Sequence, residues 1–446
     1  MNILHISPHL GTGVGTVTLH YLKNESIRGV HKHRIITLDT LNDDAKKILN
    51  ELNISFIESA FKATSITKKA IEDADIVLIH WWNHPLLSVF LMTEELPQCR
   101  LIMWCHISGI EAPNNFTLNG IRYPDRFIFT TPMSYRSKYI HQLTDLDKKK
   151  LGVVWSTGGV ERLQSIKPTH HEGVIVGYIG NLDFTKLNPN FIKLCEMVTN
   201  DSIKFVVVGG PVNSDLLIQA KNSKIANRIE FTGYVSEEEK WKRLSTFDIF
   251  GYPLAPHHFG SCDQTIQEAM AVSVPPVVLN NPMESYMVKD NRTGLICNTA
   301  KEYALSIDKL AQDKNLREKI GRQAKKFAES EYAIGNSSKK WDDIFNELIS
   351  SPKTKKKWPK FSKLESPSIA EIFAESLGEE GQIFSQLLNN GKQSRQEKLA
   401  AEEALKRLSR KPNWTSPTKS TSFHYLKFFP EDQMLDNFCR LISLSI

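Results

Sequence analysis

The sequence lacks the features that mark membrane-spanning proteins and secreted, disulfide-rich proteins. No stretch approaches the ~20 consecutive apolar residues that a spanning helix needs. Residues 1–6 carry no basic segment and are soon followed by polar residues, which predicts a first β-strand and not a signal peptide. The six cysteines form no CxxC pair and no framework spacing, so we expect free thiols and a cytoplasmic protein.

A large excess of one charge is also missing. The 446 residues hold 56 Lys and Arg against 50 Asp and Glu. Residues 352–446 hold 16 of the basic and 11 of the acidic residues, so residues 1–351 are nearly neutral with 40 against 39. We therefore expect no nucleic-acid partner. The length predicts two or three domains, and 41% hydrophobic residues are ordinary for a globular protein.

The first half of the chain alternates predicted strands with helical segments, which is typical of a parallel α/β sheet. The predicted strands are residues 1–7, 33–38, 54–57, 74–80, 100–106, 127–130 and 152–155. His80 and His106 stand at the carboxyl ends of two of them, where open α/β sheets bind ligands. From this pattern alone, His80 is as consistent with a structural hydrogen bond as with a functional role.

A second alternating set follows a polar segment, residues 164–173, which we interpret as a linker. Its predicted strands are residues 174–180, 203–210, 228–235, 246–252 and 274–279, and helices are expected within 301–328 and 337–348. Two such sets predict two Rossmann-like domains, at 1–165 and 172–330. A further helix is expected at 331–351, and a basic extension of unknown role occupies 352–446.

A glycine-rich segment, residues 11–15, follows the first predicted strand. It contains Gly13 and Gly15 but no G-x-G-x-x-G fingerprint. A tight turn between strand and helix, and a loop that lets the backbone approach a ligand, are equally compatible with this spacing.

The stretch from Phe250 to Asn280 predicts a strand, a polar loop at 257–264, a helix starting at Thr265 and a further strand. This order places free N–H groups and the positive end of the helix dipole beside the loop, which suits a phosphate. Asp263 or Thr265 is expected to cap the helix. Glu268 lies one turn into the helix and suits a neutral diol, such as a ribose.

These residues carry a family resemblance. Pro253, the segment 267–271 (QEAMA) and the segment 276–278 (PVV) resemble the donor-site motif of retaining glycosyltransferases of family 4, which adopt the GT-B fold. The family pattern has two glutamates in Glu-x7-Glu. Glu268 matches the second, and the first falls at Gly260 and is missing. The resemblance implies two Rossmann-like domains that face each other across a cleft, the first on the acceptor side and the second on the donor side. It also implies that the helix at 331–351 crosses back to the first domain.

A second segment, 180–186, resembles the family's Gly-Arg-x4-Lys, with Lys186 in place and Asn181 where the Arg is expected. Asn181 offers only a neutral donor in place of a bidentate guanidinium. The resemblance implies His106, Lys186 and Glu268 as catalytic residues. It implies the following donor-binding set: Gly13, Gly15, Asn181, Lys186, Tyr234, Ser261, Cys262, Asp263, Gln264, Thr265 and Glu268.

The implied reaction moves a sugar from a nucleotide-diphosphate sugar to a hydroxyl group of a glycan, lipid-linked or protein acceptor, with retention, in bacterial polysaccharide or glycoconjugate synthesis. No DxD-like dyad stands at a strand end, so we expect no metal and no further cofactor. Two alternatives stay open. One is a nucleotide-sugar epimerase of the same architecture. The other is a degenerate transferase that only binds, an alternative motivated by the missing Arg and first Glu.

The extension begins with a basic segment, 353–363, in which six lysines surround Trp358 and Phe361. Such a segment suits a peripheral contact with the anionic inner face of a membrane, and it equally suits a solvated linker. Residues 394–410 predict an amphipathic helix. The aromatic and apolar stretch 423–446 is expected to pack on this chain or on a partner.

Overall fold

A computed structural model describes residues 1–256, 258, 260–388 and 394–443. The chain divides into two compact units. The first unit comprises residues 1–156 together with the chain from Ser338 onward, and the second comprises residues 157–337. The C-terminal extension therefore belongs to the same unit as the first set of strands.

The first unit is built on a parallel sheet. Its strands, together with the separate short strand β5, are β1 (Asn2–Ser7), β2 (Lys32–Thr37), β3 (Ser55–Ile57), β4 (Ile76–Trp81), β5 (Leu96–Cys99), β6 (Leu101–Cys105), β7 (Arg126–Phe129) and β8 (Leu151–Val153). The order in the sheet is β3-β2-β1-β4-β6-β7-β8. β4 and β6 are buried along their whole length, as apolar runs at the centre of a parallel sheet predict.

Helices cover both faces of this sheet. They are α1 (Thr12–Arg28), α2 (Asp43–Glu51), α3 (Thr64–Asp73), α4 (Pro85–Thr93), α5 (Leu118–Arg122) and α6 (Asp145–Lys148). The core on one face joins α1 and α2 to Trp341 and Phe345 of the later helix at 334–349. The core on the other face includes α4 and Phe116. Each face of the sheet thus has its own apolar layer.

The second unit is also built on a parallel sheet, with helices between its strands, in the residues that the structure describes. Its strands are β9 (Val174–Ile179), β10 (Ile203–Val208), β11 (Ile229–Gly233), β12 (Ile249–Tyr252), β13 (Pro276–Leu279) and β14 (Leu295–Cys297), in the order β11-β10-β9-β12-β13-β14. Its helices are α7 (Phe191–Glu196), α8 (Ser214–Lys221), α9 (Glu237–Leu244), α10 (Gln264–Ala271), α11 (Pro282–Met287), α12 (Ala300–Gln312) and α13 (Lys314–Glu331). The boundary between the units falls within α14 (Ile334–Ile349).

The extension is folded through its described residues and is not a loose tail. β15 (Thr354–Lys356) pairs antiparallel with β5. The helices that follow are α15 (Ile369–Ser376), α16 (Gln382–Leu388), α17 (Arg395–Leu408), α18 (Ser422–Phe428) and α19 (Gln433–Ser443). They share an apolar core with Val89 of α4. The stretch from 423 to 443 therefore packs on this chain, while residues 444–446 lie outside the described ranges.

The basic segment at 353–363 does not present the indole of Trp358 to solvent, and Phe361 is half-buried. Trp358 is buried, and its ring centroid lies 5.1 Å from that of Tyr123. Lys355 and Lys357 form ion pairs with Glu95. The membrane contact stays a prediction, and the buried indole does not support it. No helix in the described part of the chain is long and apolar enough to cross a bilayer.

Candidate functional site

The predicted strand, loop and helix around Tyr252 are present in the second unit. β12 ends at Tyr252, and α10 begins at Gln264 beyond the carboxyl end of the strand. The first turn of α10 directs its backbone N–H groups and the positive end of the helix dipole to this edge. Two residues of the predicted loop, His257 and Phe259, lie outside the described residues.

Lys186 meets the start of α10 directly. Its Nζ donates to Asp263 Oδ1 at 3.0 Å. The hydroxyl of Tyr252 donates to Asp263 Oδ2 at 2.8 Å, and Thr265 Oγ1 donates to that hydroxyl at 3.2 Å. The prediction that Asp263 or Thr265 caps α10 is confirmed for the position of the cap, but no capping hydrogen bond from the side chain is present among the described residues. Asp263 holds the cap position, but among the described contacts its carboxylate binds Lys186 and Tyr252 instead of the helix N–H groups.

The two charges of this half-buried pair shift each other's pKa. Burial alone lowers the pKa of Lys186, but the charge of Asp263 outweighs it and the pKa is raised. Burial alone raises the pKa of Asp263, but Lys186 and His258 reverse this and the pKa is lowered. Both groups are therefore charged at neutral pH. A fixed cation thus lies beside a helix N-terminus, an arrangement that stabilises a phosphate or other anion.

Glu268 is buried and is ion-paired. Its Oε1 accepts from Arg162 at 2.7 Å and from Lys240 at 2.9 Å. Its Oε2 has no hydrogen-bond partner among the described residues. The Arg162 guanidinium also lies over the ring of Trp241, 5.1 Å from its centroid. A carboxylate can accept several hydrogen bonds, so Oε2 retains acceptor capacity for a hydroxyl group.

A second acid–base pair, a histidine and a glutamate that the sequence analysis missed, flanks the site. His258 Nε2 lies 3.0 Å from Glu284 Oε2, and both side chains are buried. Burial lowers the pKa of His258, but Glu284 outweighs this and the pKa is raised. Glu284 follows Pro282 in the first turn of α11, where an acid usually just complements the helix dipole. The sequence around Glu284 therefore did not indicate that this residue has a buried histidine as its partner.

The rest of the predicted donor set is spread over several elements. Asn181 is exposed, and its Oδ1 accepts from the backbone of Asp183 at 2.9 Å, so its side chain shapes the turn. Tyr234 is 75% exposed and lies over Gly210. Ser261, Cys262 and Gln264 are half-buried at the start of α10, close in sequence to Asp263. None of these contacts tests a role in donor binding.

The predicted glycine loop is partly helical. α1 begins at Thr12, so Gly13 and Gly15 lie in its first turn and not in a loop. A Cβ at Gly15 would stand 1.9 Å from the backbone oxygen of Leu10, so close packing of the chain on itself requires this glycine. A Cβ at Gly13 would meet nothing within 4 Å. The glycine at 13 therefore has no steric explanation in the described contacts.

His106 belongs to the first unit and follows β6 directly. It is half-buried, and its Nε2 lies 3.1 Å from His80 Nδ1. Its ring centroid lies 4.6 Å from that of Trp104. Burial lowers the pKa of His106 well below its usual value, so this ring is neutral at pH 7. It can therefore donate one hydrogen bond and accept another.

The extension contributes to the same edge of the first unit, which the sequence did not reveal. Asn83, after β4, donates to the backbone oxygens of Asn115 at 2.7 Å and Ser376 at 3.1 Å. The ring of His84 lies 5.0 Å from that of His424 and 4.9 Å from that of Phe428 in α18. Part of the carboxyl edge of the first sheet is thus made by the C-terminal helices.

Residues 160–327 match the profile of the family Glycosyl transferases group 1. An uncharacterized glycosyltransferase of Methanocaldococcus jannaschii is 24% identical over 217 residues, which cover 46% of this chain and 54% of the relative. An alpha-1,3/1,6-mannosyltransferase of Dictyostelium discoideum is 28% identical over 137 residues, 30% of this chain and 31% of the relative. The chain thus matches about half, or less, of the length of these curated relatives.

Solved structures share the architecture. The Anabaena protein HepE, crystallised in complex with UDP-glucose, has a TM-score of 0.62 at 14% identity, over 78% of this chain and 100% of that one. A glycosyltransferase of Rickettsia africae has a TM-score of 0.63 at 16% identity, over 78% and 99%. The predicted α/β GT-B fold with a helical C-terminal region is confirmed. Together with the family match, it supports a GT-B glycosyltransferase.

Proposed function

We propose that this protein transfers a sugar from a nucleotide-diphosphate sugar to an acceptor hydroxyl with retention, as family 4 glycosyltransferases do. The observation that carries the proposal is the amine of Lys186 at the first turn of α10, inside the segment that matches the transferase family. Negative charge develops on the diphosphate as the glycosidic bond breaks. A half-buried lysine and a helix N-terminus stabilise that charge without rearranging.

In this proposal the diphosphate lies against Lys186 and the N–H groups of α10, and the nucleotide ribose hydrogen-bonds Glu268. The acceptor capacity of Glu268 Oε2 supports the second contact. Asp263 or Gln264 takes the sugar contact of the missing first glutamate. His106, as the neutral histidine of the first unit, is assigned to the donor sugar on the resemblance alone.

The donor and the acceptor are proposed only by class. One structural neighbour was crystallised with UDP-glucose, and one relative is named a mannosyltransferase, so UDP-glucose and a nucleotide-activated mannose are the first donors to assay. The acceptor is a glycan, lipid-linked or protein hydroxyl in bacterial polysaccharide or glycoconjugate synthesis. We propose that transfer needs no metal, which is tested by activity that persists in the presence of a chelator.

The direct test compares donor hydrolysis and transfer by the native protein, Lys186→Ala and Lys193→Ala. Lys193 is an exposed lysine of α7 and serves as the matched control. We expect Lys186→Ala to lose at least about 100-fold in rate, the usual cost of removing one group that stabilises transition-state charge. Lys193→Ala is expected to retain the native rate.

A second variant separates binding from folding. Glu268→Gln is expected to weaken nucleoside diphosphate binding more than it lowers the melting temperature. Unchanged affinity with a lowered melting temperature would assign Glu268 to structure, as the partner of Arg162 and Lys240. Equal and negligible rates of native protein and Lys186→Ala across a donor panel, with nucleotide binding retained, would favour the non-catalytic binding subunit. Interconversion of free nucleotide sugars would favour the epimerase.

A further inference from the structure

Four histidines form a continuous row across the first sheet. They come from adjacent strands: His33 from β2, His5 from β1, His80 from β4, and His106 directly after β6. The ring nitrogens lie 2.9 Å apart between His33 and His5, 3.0 Å between His5 and His80, and 3.1 Å between His80 and His106. Alternation along each strand places all four on the sheet face that carries α1.

Three of the four rings, those of His33, His5 and His80, are buried, so the nitrogens that join them cannot exchange these partners for water. His5 and His80 are fully buried, and His33 is 9% exposed. Burial lowers the pKa of His5 and of His80, the latter to about 3, so both rings are neutral at pH 7. A neutral imidazole donates from one nitrogen and accepts at the other. The tautomer of each ring therefore fixes the tautomer of the next.

A buried carboxylate stands at the far end of the row. Glu25 Oε2 of α1 lies 3.9 Å from His33 Nε2, and neither atom has a hydrogen-bond partner among the described residues. Glu25 Oε1 is already bound by Arg28 Nη1 and by Ser338 Oγ, each at 2.6 Å. A lone pair on His33 Nε2 would face the carboxylate and be repelled, whereas an N–H there is attracted.

When His33 carries this one hydrogen, its Nδ1 is an acceptor, and every ring along the row then has its hydrogen on Nε2. His33 then accepts from His5, His5 from His80, and His80 Nδ1 from His106 Nε2. Thr18 Oγ1 lies 3.2 Å from His80 Nδ1 and donates to the backbone oxygen of Val14 at 2.8 Å. Because its hydroxyl hydrogen is donated to Val14, Thr18 Oγ1 could accept from a hydrogen on His80 Nδ1, which would be the opposite tautomer. A neutral hydroxyl attracts that hydrogen less strongly than the buried carboxylate attracts the hydrogen on His33 Nε2.

We propose that Glu25, His33, His5 and His80 are positioning residues that lock His106 in the Nε2–H tautomer, so that its Nδ1 is a hydrogen-bond acceptor. The functional meaning rests on the proposed function, in which His106 meets the donor sugar. An accepting, neutral nitrogen selects a hydroxyl group of the sugar, which can donate a hydrogen bond. It disfavours an ionised phosphate oxygen, which cannot.

The test is nuclear magnetic resonance of the full chain labelled with ¹⁵N-histidine, without donor or acceptor. The two ring nitrogens of His106 are assigned by their loss in His106→Gln. In the native protein we expect a protonated Nε2 and an unprotonated Nδ1. In Glu25→Gln the side-chain amide can donate to His33 Nε2, which reverses the row, so the Nδ1–H tautomer of His106 is expected to become the major form.

Asp342→Asn is the matched control. Asp342 binds Arg28 and lies 3.1 Å from His31 in the same network, but no described hydrogen bond joins it directly to any of the four rings. It is expected to leave the tautomer of His106 unchanged. If Glu25→Gln does not fold, His5→Gln interrupts the row with an amide that both donates and accepts, and His106 is expected to populate both tautomers.

A native Nδ1–H tautomer would overturn the proposal. So would an unchanged tautomer in folded Glu25→Gln, or in His5→Gln where that variant takes its place. Because the measurement uses no substrate, a failure of the transferase assignment leaves its result intact. Conversely, a confirmed tautomer together with absent transfer would reject the proposed function and retain the positioning role.

Discussion

The residue that most concerns the proposed chemistry, Lys186, already has a carboxylate partner. Asp263 holds the amine at 3.0 Å and also accepts from Tyr252. A diphosphate that binds Lys186 therefore shares the amine with Asp263 or displaces it. This sharing is important because Lys186 is the only basic residue in the segment 180–186, where the motif that the sequence resembles has two.

Asp263→Asn tests the strength of this pair. The amide removes the negative charge while burial persists, so the pKa of Lys186 is expected to fall relative to the native protein. The free energy of unfolding is expected to fall by about 1–3 kcal/mol, the usual cost of a weakened buried polar contact. The ¹⁵N titration of Lys186 and urea unfolding measure the two effects. Asp201→Asn, at a 95% exposed side chain, is expected to change neither.

At the scale of elements, the start of α1 contains two glycines that the structure distinguishes. Gly15→Ala forces a methyl group against the Leu10 carbonyl, and we expect a loss of about 1–3 kcal/mol or more in the free energy of unfolding. Gly13→Ala has open space in a helix and is expected to gain roughly 0.5–1 kcal/mol. Urea unfolding of both variants tests this. A destabilised Gly13→Ala would contradict the described geometry.

The link between α1 and α14 predicts an acid-dependent stability. Burial raises the pKa of Glu25, but interactions with His33, Ser338 and Arg28 outweigh it and lower the pKa from 4.5 to about 2. The ionised carboxylate therefore stabilises the fold fully above pH 4.5, and about 3 kcal/mol is lost as the pH falls towards 2. We expect the difference in unfolding free energy between the native protein and Glu25→Gln to shrink across this window.

Glu58→Gln is the control for that experiment. The pKa of Glu58 is also lowered, by the hydrogen bond from Lys46, but this carboxyl is on the surface. Its substitution is expected to leave the acid dependence of unfolding close to that of the native protein. A parallel acid dependence of the native protein and Glu25→Gln would show that Glu25 is not the group responsible.

The elements that the sequence predicted well are those with a local signal. Apolar runs identified β4 and β6, and the strand, loop and helix around Tyr252 followed from composition. The sequence analysis did not predict the helix α4 (PLLSVFLMT). This helix is buried on nearly every side, between the sheet and the extension, and so it shows no polar stripe. The histidine row and the partner of Glu284 depend on which strands and loops become neighbours, and no local pattern contains that information.

At the scale of the whole molecule, the extension is part of the first unit. Its helices share a core with α4, and Trp358 packs beside Tyr123. A chain that stops after Ser351 exposes this apolar surface, and we expect it to be recovered only as aggregate. Size-exclusion chromatography and thermal unfolding of the shortened chain check this. A monomer that unfolds cooperatively would show that residues 352–446 are dispensable for folding.

The histidine row also constrains how the protein can change over evolutionary time. Replacing His5 or His80 by an apolar residue leaves a hydrogen-bond donor on one neighbouring ring and an acceptor on the other without a partner in the protein interior. Two such losses made together cost less than their sum, because the shared bond is broken only once. The effects of substitutions at these four positions therefore depend on one another. We expect substitutions to occur first at an end of the row and then at the neighbouring histidine.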